Sequence, residues 1–221
     1  MIYFFADNHY KQYPGRIQAK ILASKYDFYF YEDDWSVMEA EGFADKCNLL
    51  ILNMIGDTCN NKHPSDDANR EIRKYLEKGG HLLLLHGSSA AFWKWDWWRD
   101  IVGLRWVRDN DPDGVEKSIH PIRAYQLKKS KTRHYLVKSL IEIDVPKDEI
   151  YMSLEQVCPT TTLMVTNTKE GTIPLVTTHS NQWGGIIHNF LPGHLPEVSG
   201  HSKIISNISI LIDDLLERKK M

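Results

Sequence analysis

Short apolar runs alternate with amphipathic stretches over the first hundred residues of the chain. The apolar runs lie at residues 2–5, 27–31, 48–54 and 81–85. Strands that alternate with helices in this way are typical of βαβ units, whose strands form a parallel sheet. Within the last run, Leu82–Leu85 is apolar at four successive positions, which predicts a central strand covered on both faces.

Two longer segments have the 3.6-residue period of amphipathic helices. The first follows Ser65, a residue suited to cap a helix N-terminus, and stops at the pair Gly79-Gly80. The second lies near the C-terminus and carries apolar residues from Ile204 to Leu216. Apolar stripes of this width are typical of helices that pack on a sheet. The pattern therefore predicts a three-layer α/β domain with a mainly parallel central sheet.

The segment at about 104–168 has a different, turn-rich pattern with fewer apolar runs. We interpret it as an elaboration within one domain that spans residues 1–221, since a chain of this length can close one sizeable core. Beyond it, apolar runs at 173–179 and 184–190 flank a polar turn. This arrangement predicts a hairpin or two neighbouring strands.

The charge balance excludes one class of partner. With 27 Lys and Arg against 29 Asp and Glu, the net charge of −2 provides no basic field for phosphate contacts, so we expect no nucleic acid partner. No apolar run approaches the roughly 20 residues that cross a bilayer, so we expect no membrane association. The first residues lack the pattern of a secretory signal, and Cys47, Cys59 and Cys158 are too scattered for a disulfide framework. These features predict a cytoplasmic protein.

Candidate chemistry lies at the ends of the predicted strands, because open parallel sheets bind ligands beyond the carboxyl ends of their strands. The polar residues at such positions are Asp7, His9, His86, His179 and His194. His86 is the strongest candidate, because it ends the all-leucine strand and the glycine after it permits a sharp turn that exposes a side chain. A nucleophilic serine is not expected, since the G-x-S-x-G motif of a nucleophile elbow is missing here.

The chemistry of the histidines stays open. His179 and His194 could each act as a general base, a hydrogen-bond partner of a substrate or a metal ligand. The sequence contains no H-E-x-x-H, C-x-x-C or calcium-loop motif, so no cofactor is required. A divalent metal such as zinc, held by scattered histidines and aspartates, stays an alternative. His188 lies inside a predicted strand and is expected to be packed.

Asp148 and Glu149 form a pair of adjacent carboxylates. On an extended chain such neighbours point in different directions, so at most one is expected to face a given pocket. If Glu149 entered an apolar pocket, its pKa would rise and the group would become a general acid or base.

One segment contains four tryptophans. We expect Trp97 and Trp98, which lie nearest an apolar Ile-Val pair, to pack in the core. Charged residues lie between the other rings of the segment, and a half-exposed aromatic wall formed by Trp93 or Trp95 would suit the C–H face of a sugar. Core packing of all four rings is the competing interpretation.

Six motifs follow one another along the chain. They are GGHLLLLHGSSAAF at 79–92, DIVG at 100–103, His120, the His134 segment, DEIY at 148–151 and GGIIHNFLPGH at 184–194. Their order resembles that of the ThuA-like (trehalose utilisation) family, a branch of the class I glutamine amidotransferase-like fold. The chain departs from the family pattern at Gly185, where an arginine is typical, and at His134-Tyr135-Leu136, where the family has an HPI triplet.

The resemblance implies a flavodoxin-like fold and a role in sugar handling, with activity on glucosides or oxidised (3-keto) sugars. By this similarity the site gathers His86, His120, His134, Glu149 and His194. We expect His86, Glu149, His194 and His134 to be catalytic, and we expect Asp7, His9, Trp93, His120, Tyr151 and His179 to bind the substrate. His86 occupies the elbow where the amidotransferases have a cysteine, so glutamine hydrolysis through a thiolate is not expected.

Three functions are compatible with the sequence. The leading hypothesis is an enzyme of carbohydrate metabolism that uses histidines and Glu149 for acid–base chemistry on a small-molecule sugar. The alternatives are a non-catalytic sugar-binding or regulatory module and a metal-dependent hydrolase that uses the same histidines. The subunit number stays open, and a homo-oligomer is among the options.

Overall fold

A nine-stranded mixed sheet forms the middle layer of the computed structural model, which describes residues 1–59, 61–109, 111 and 114–218, without the side chains of residues 57 and 58. The strands are β1 Ile2–Ala6, β2 Tyr29–Glu32, β3 Leu49–Asn53, β4 Leu82–Leu85, β5 Leu104–Arg105, β6 Ile122–Lys129, β7 Ile143–Glu149, β8 Glu155–Gln156, β9 Thr161–Thr168, β10 Gly171–Ser180 and β11 Ile186–Phe190. The α-helices are α1 Pro14–Leu22, α2 Phe43–Lys46, α3 Asp66–Glu77, α4 Asp96–Ile101, α5 Tyr135–Ser139, α6 Pro196–Ser199 and α7 Ser202–Arg218. Short 3-10 helices lie at Gly56–Cys59 and His86–Ala90.

The main sheet has the strand order β2-β1-β3-β4-β11-β10-β9-β6-β7. Its first five strands are parallel, and because β11 is the fifth parallel strand in chain order, they form the 2-1-3-4-5 arrangement of flavodoxin-like folds. This arrangement confirms the predicted fold class. β10 pairs antiparallel with β11, with Thr178 opposite His188, so the two predicted strands are indeed neighbours.

The direction of the remaining strands decides which loops can reach a common site. The pairings β11-β10, β10-β9, β9-β6 and β6-β7 are all antiparallel. β9 and β7 therefore run with the parallel strands, whereas β10 and β6 run against them. β6, β7 and β9 come from the segment at about 104–168 and extend the main sheet, while β5 and β8 form a separate two-stranded sheet.

The strand β4 is covered on both faces, as its all-leucine sequence predicts. Its four side chains are completely buried. Leu83 and Leu85 belong to the same apolar core as Ile208 of α7, whereas Leu82 and Leu84 belong to the core that contains Ile72 of α3. Alternate residues of one strand thus contribute to two cores, and the fold has three layers.

Both predicted helices are present. Ser65 caps α3, because its side chain accepts a hydrogen bond from the backbone N–H of Ala68. The helix is followed by Gly79, whose φ of +79° is the left-handed conformation that ends many helices. α7 buries the apolar stripe that includes Ile204 and Leu211. Among the described residues, no helix is both long and apolar enough to span a membrane.

Candidate active site

A cavity of about 120 Å³ lies beyond the carboxyl ends of the parallel strands. Its position follows from the strand directions, since the loops after β1, β3, β4 and β11 all reach this edge of the sheet, and β7 ends there as well. The residues that line it are His9, Tyr10, Ile55, His86, Gly87, Ala90, Trp106, Arg108, His120, Glu149, Tyr151 and His194. Six of the ten predicted site residues are therefore in this wall.

His86 occupies the turn that follows β4. Its φ of +50° is a left-handed conformation that is uncommon for a residue other than glycine, and its side chain is almost completely buried. The ring nitrogen Nδ1 lies 2.9 Å from the carbonyl oxygen of Leu191, which can only accept, so Nδ1 carries a proton. Nε2 is then the ring atom that faces the cavity.

Gly87 is required because the loops pack closely around it, and not because the turn after β4 needs a glycine. The left-handed residue of the turn is His86, so Gly87 is not needed for that conformation. A Cβ atom at residue 87 would lie 2.0 Å from Cγ2 of Ile55 and 3.0 Å from the hydroxyl of Tyr151. The absence of a side chain at Gly87 lets the loops after β3 and β4 pack closely around the site.

Three side chains converge on Nε2 of His86. The hydroxyl of Tyr151 and Nδ1 of His194 each lie 3.1 Å from it, and Oε2 of Glu149 lies 3.4 Å from it. The second oxygen of the same carboxylate, Oε1, accepts a hydrogen bond from Nδ1 of His120 over 2.9 Å. Glu149 therefore connects two imidazoles inside one cavity.

Asp148 and Glu149 point in different directions, as predicted for neighbours on a strand. The Asp148 side chain is fully buried and accepts hydrogen bonds from three successive backbone N–H groups: that of Gly193 over 2.7 Å, that of His194 over 3.1 Å and that of Leu195 over 3.0 Å. Asp148 thus fixes the loop that carries His194, while Glu149 faces the cavity.

The cavity around Glu149 is lined by imidazoles, so it is not the apolar pocket considered from the sequence. Burial alone would raise the pKa of Glu149, but its hydrogen bonds to His120 and His86 outweigh burial and hold the pKa well below its usual range. Burial would likewise lower the pKa of His86, yet the contact with Glu149 raises it, and the same carboxylate raises the pKa of His120. Burial and the neighbouring His86 charge lower the pKa of His194 to about 4. The condition for a raised Glu149 pKa, an apolar pocket, is not met here, because imidazoles surround this carboxylate.

Asp7 and His9 differ in position, since only His9 lines the cavity. Oδ2 of Asp7 accepts hydrogen bonds from the backbone N–H groups of Ile55 and Gly56, so Asp7 ties two loops together behind the cavity wall. His9 lines the cavity, and its ring centroid lies 5.2 Å from that of His86. Nδ1 of His9 is 2.5 Å from Oδ1 of Asp7 without hydrogen-bond geometry, and Nε2 has no hydrogen-bond partner among the described residues.

His134 and His179 lie away from the cavity, because both follow or end strands that run against the parallel ones. His134 comes after β6, where its ring accepts a hydrogen bond from the backbone N–H of Leu136 and caps α5. His179 lies in β10 opposite Ile187, near the start of β11, and Nε2 of its ring is 2.7 Å from the carbonyl oxygen of Ile101. Burial lowers the pKa of both rings. The expectation that they join His86 is therefore not met.

The tryptophan segment is mainly core. Trp98 and Trp95 are buried, and Trp95 stacks on Phe92 with 4.0 Å between ring centroids, so the wall expected from Trp95 does not form. Trp97 is partly buried and packs against the same core. Trp93 is half-buried and does not line the cavity; the guanidinium of Arg108 covers its ring at 4.3 Å.

Trp106 is a tryptophan that borders the cavity. Its ring centroid lies 4.9 Å from that of Tyr151 and 5.4 Å from that of His120. In the structure Arg105 and Val107 are buried while Trp106 and Arg108 are partly exposed. The sequence Arg-Trp-Val-Arg does not alternate between polar and apolar residues, so it carries no signal for this arrangement.

Solved structures share this fold. A protein described as ThuA-like from Parabacteroides merdae ATCC 43184 is similar over 94% of this chain and 87% of its own, with a TM-score of 0.72 and 19% identity. Another, from Bacteroides uniformis ATCC 8492, is similar over 97% of this chain and 91% of its own, with a TM-score of 0.70 and 11% identity. A β-galactosidase from Rahnella sp. R3 contains the fold over 31% of its length, with 96% of this chain covered, a TM-score of 0.55 and 10% identity. At these identities the similarities show the fold alone.

Sequence comparison adds the family. No curated protein sequence matches the chain. The profile of the ThuA family, described as trehalose utilisation, matches residues 6–208, which include the cavity and every strand except the first few residues of β1. The chain therefore belongs to the ThuA (trehalose utilisation) family.

Proposed function

We propose that this protein is an enzyme of carbohydrate metabolism that acts on a glucoside or an oxidised (3-keto) sugar by acid–base chemistry. The observation that carries the proposal is the carboxylate of Glu149, which contacts both His120 and His86 in one cavity. A carboxylate that accepts a hydrogen bond from Nδ1 orients the imidazole and raises the proton affinity of its other nitrogen, which can then act as a base. The family's description as trehalose utilisation supports a sugar as the substrate.

The cavity wall combines the two features that sugar recognition uses. Trp106 and Tyr151 present aromatic rings on which the C–H face of a pyranose can pack. His120, Arg108 and Glu149 present polar groups for the hydroxyls on the same wall. A flat aromatic surface beside charged hydrogen-bonding groups suits a ring-shaped polyol better than an apolar ligand.

The number of carboxylates in the cavity indicates which kind of reaction the site can catalyse. Common glycosidases use two carboxylates about 5–9.5 Å apart. Among the described residues that line the cavity, Glu149 is the one carboxylate, since Asp148 is turned away and bound to backbone N–H groups. The arrangement favours proton transfer at a carbon next to a ketone, which needs one base and one hydrogen-bond donor to the ketone oxygen.

The roles follow from the hydrogen bonds. His120 holds Glu149 through Nδ1, and no hydrogen bond within the described chain uses its Nε2, so this nitrogen is the proposed base that takes the carbon-bound proton. The hydroxyl of Tyr151 stays protonated because burial raises its pKa well above the usual range. It is the proposed donor to the oxygen on which negative charge develops, and it gives up its contact with Nε2 of His86, 3.1 Å away, when it donates to the substrate.

Proton exchange into a 3-keto glucoside in D₂O tests the proposal. We expect the wild-type protein to place deuterium next to the ketone, as followed by NMR, and we expect His120→Ala and Glu149→Gln to slow this exchange by about 10²–10⁴-fold. His201→Ala, at an exposed histidine outside the cavity, is the matched control and should exchange at the wild-type rate. A panel of glucosides is assayed in parallel for products.

Two results would contradict an enzyme of this kind. Saturable sugar binding without exchange or product formation would favour the non-catalytic sugar-binding module. Exchange that is equally fast in the His120 and Glu149 variants would remove these groups from the chemistry.

A further inference from the structure

We infer that His86, His194 and Glu149 form a binding site for one divalent transition-metal ion. The ligand atoms are Nε2 of His86, a ring nitrogen of His194 and a carboxylate oxygen of Glu149, and they all lie within 4.8 Å of one another. This metal site lies in the same cavity as the proposed active site. Its role in a reaction on a sugar rests on the proposed function, whereas the binding of the ion does not.

The distances between the donor atoms are close to those between the ligands of a bound zinc ion. Nε2 of His86 is 3.1 Å from Nδ1 of His194 and 3.4 Å from Oε2 of Glu149. Ligands that surround zinc tetrahedrally at about 2.0–2.2 Å are separated from each other by about 3.3–3.6 Å. The side chains therefore need only small shifts to bind one ion together.

The distribution of ring protons gives a second argument. Nδ1 of His86 carries its proton toward Leu191, so Nε2 of a neutral ring presents a lone pair to Tyr151, His194 and Glu149. A neutral His194 has one ring proton for two nitrogens, one facing His86 at 3.1 Å and the other 3.7 Å from Oε1 of Glu149. While both rings are neutral, one lone pair faces another electron-rich atom wherever this proton sits. A cation accepts these lone pairs and removes the repulsion.

Each proposed ligand is held by a further group, as is usual around bound metals. His86 donates to the carbonyl oxygen of Leu191, Glu149 accepts from His120, and the backbone of His194 is fixed by Asp148. These contacts orient the ring of His86 and the carboxylate of Glu149 and fix the backbone of His194 before any ion binds.

His9 is an independent observation at the same place. Its ring is fully buried and lines the cavity, with its centroid 5.2 Å from that of His86 and 6.2 Å from that of His194. Nε2 of His9 has no hydrogen-bond partner among the described residues, while the carboxylate of Asp7 lies beside Nδ1. A carboxylate on one side of an imidazole and an unused nitrogen on the other is the usual setting of a metal-ligating histidine.

The donor set indicates the kind of ion. Two imidazole nitrogens and one carboxylate suit zinc, iron, cobalt or nickel, whereas magnesium and calcium prefer oxygen ligands only. The remaining side of the site faces the cavity, where a substrate oxygen could reach the ion. A bound ion would polarise a ketone or hydroxyl oxygen of the sugar.

Metal titration of the full chain tests the inference. After treatment with a chelator, the protein is titrated with Zn²⁺ by calorimetry and with Co²⁺ by visible absorption. We expect one ion per chain, with Co²⁺ bands that report nitrogen and oxygen ligands. We expect His194→Ala and Glu149→Gln to weaken binding at least tenfold, and the exposed-histidine control His201→Ala to bind as the wild type does. Circular dichroism of each variant checks that it is folded.

The outcomes separate this inference from the proposed function. Less than one ion per chain, or binding that is unchanged in folded Glu149→Gln protein, would overturn the metal site. Deuterium exchange by chelated protein that binds no Zn²⁺ would overturn the site and leave the proposed function in place. Stoichiometric binding that Glu149→Gln abolishes, in a protein inactive on every sugar tested, would support the site and contradict the proposed function.

Discussion

The carboxylate of Asp148 accepts a hydrogen bond from the backbone N–H of His194 over 3.1 Å. A residue of β7 thereby positions the loop after β11, although the two are 46 residues apart in sequence. Burial raises the pKa of Asp148, but its three backbone N–H partners need a carboxylate or another acceptor in this place. The contact links an otherwise peripheral strand to the cavity.

Replacement of Asp148 by Asn should lower stability. An amide has one acceptor oxygen and an NH₂ group that cannot accept, so at least one buried backbone N–H is left without a partner. We expect a loss of about 1–3 kcal/mol in the free energy of unfolding, measured with urea. Asp144→Asn changes an exposed carboxylate on the same strand and should stay within about 0.5 kcal/mol of the wild type. Equal effects of the two substitutions would show that Asp148 does not hold the loop.

Gly87→Ala should destabilise the protein, mainly through a clash with Ile55. The added Cβ would lie 2.0 Å from Cγ2 of Ile55, and overpacking of this kind costs about 1–3 kcal/mol. Ile55→Ala removes the obstructing atom, so the double variant should lose less stability than the two single losses added together. Thermal unfolding of the three variants gives the coupling energy. Strict additivity would mean that the clash is relieved in another way.

The parts of the fold with strong local signals could be predicted from sequence. β4 was recognisable because all four side chains are apolar and both faces are buried, and α3 because Ser65 and Gly79 mark its ends. The parallel centre followed from the alternation of strands and helices. Pairing partners such as β10 and β11 are close in sequence, and this proximity made their contact predictable.

The site was predicted less completely, because strand direction is not visible in a hydropathy pattern. His86 and His194 follow parallel strands and meet in the cavity. His134 and His179 also follow or end predicted strands, but β6 and β10 run in the opposite direction, so neither ring reaches it. Trp106 was not singled out, since it lies in the turn-rich segment where no period distinguishes a cavity wall from a surface ring.

Asp214 should make stability depend on acid pH. Its carboxylate lies 3.0 Å from Nε2 of His188 and 2.9 Å from Nε of Arg218. Burial would raise its pKa, but these groups and the hydroxyl of Tyr135 outweigh burial and lower it well below the usual range. A carboxyl whose pKa is lower in the folded state stabilises the protein above its unfolded pKa of about 3.9 and loses this effect as the pH falls.

We therefore expect Asp214→Asn to lower the free energy of unfolding by about 1–3 kcal/mol at pH 7, with a difference from the wild type that shrinks below about pH 5. Urea unfolding between pH 3 and 7 measures this difference. Asp213→Asn is the matched control, because that neighbouring side chain is 44% exposed, and its effect should be small throughout. A difference for Asp214→Asn that is the same at pH 3 and pH 7 would show that the carboxylate is not stabilised in the folded state.

The tryptophans allow sugar binding to be separated from core packing. Trp106 borders the cavity, so Trp106→Ala should weaken binding of a glucoside or 3-keto glucoside by about 1–3 kcal/mol, the range for loss of one well-packed aromatic contact. Trp98 is fully buried, and Trp98→Ala should instead lower the free energy of unfolding by about 3–5 kcal/mol by leaving a cavity. Trp93→Ala should leave sugar affinity near the wild-type value, because Arg108 covers that ring. Both quantities are measured on each variant, affinity by tryptophan fluorescence or calorimetry and stability with urea. If folded Trp106→Ala protein bound the sugar as tightly as the wild type, while Trp93→Ala did not, the aromatic wall would have to be assigned to Trp93.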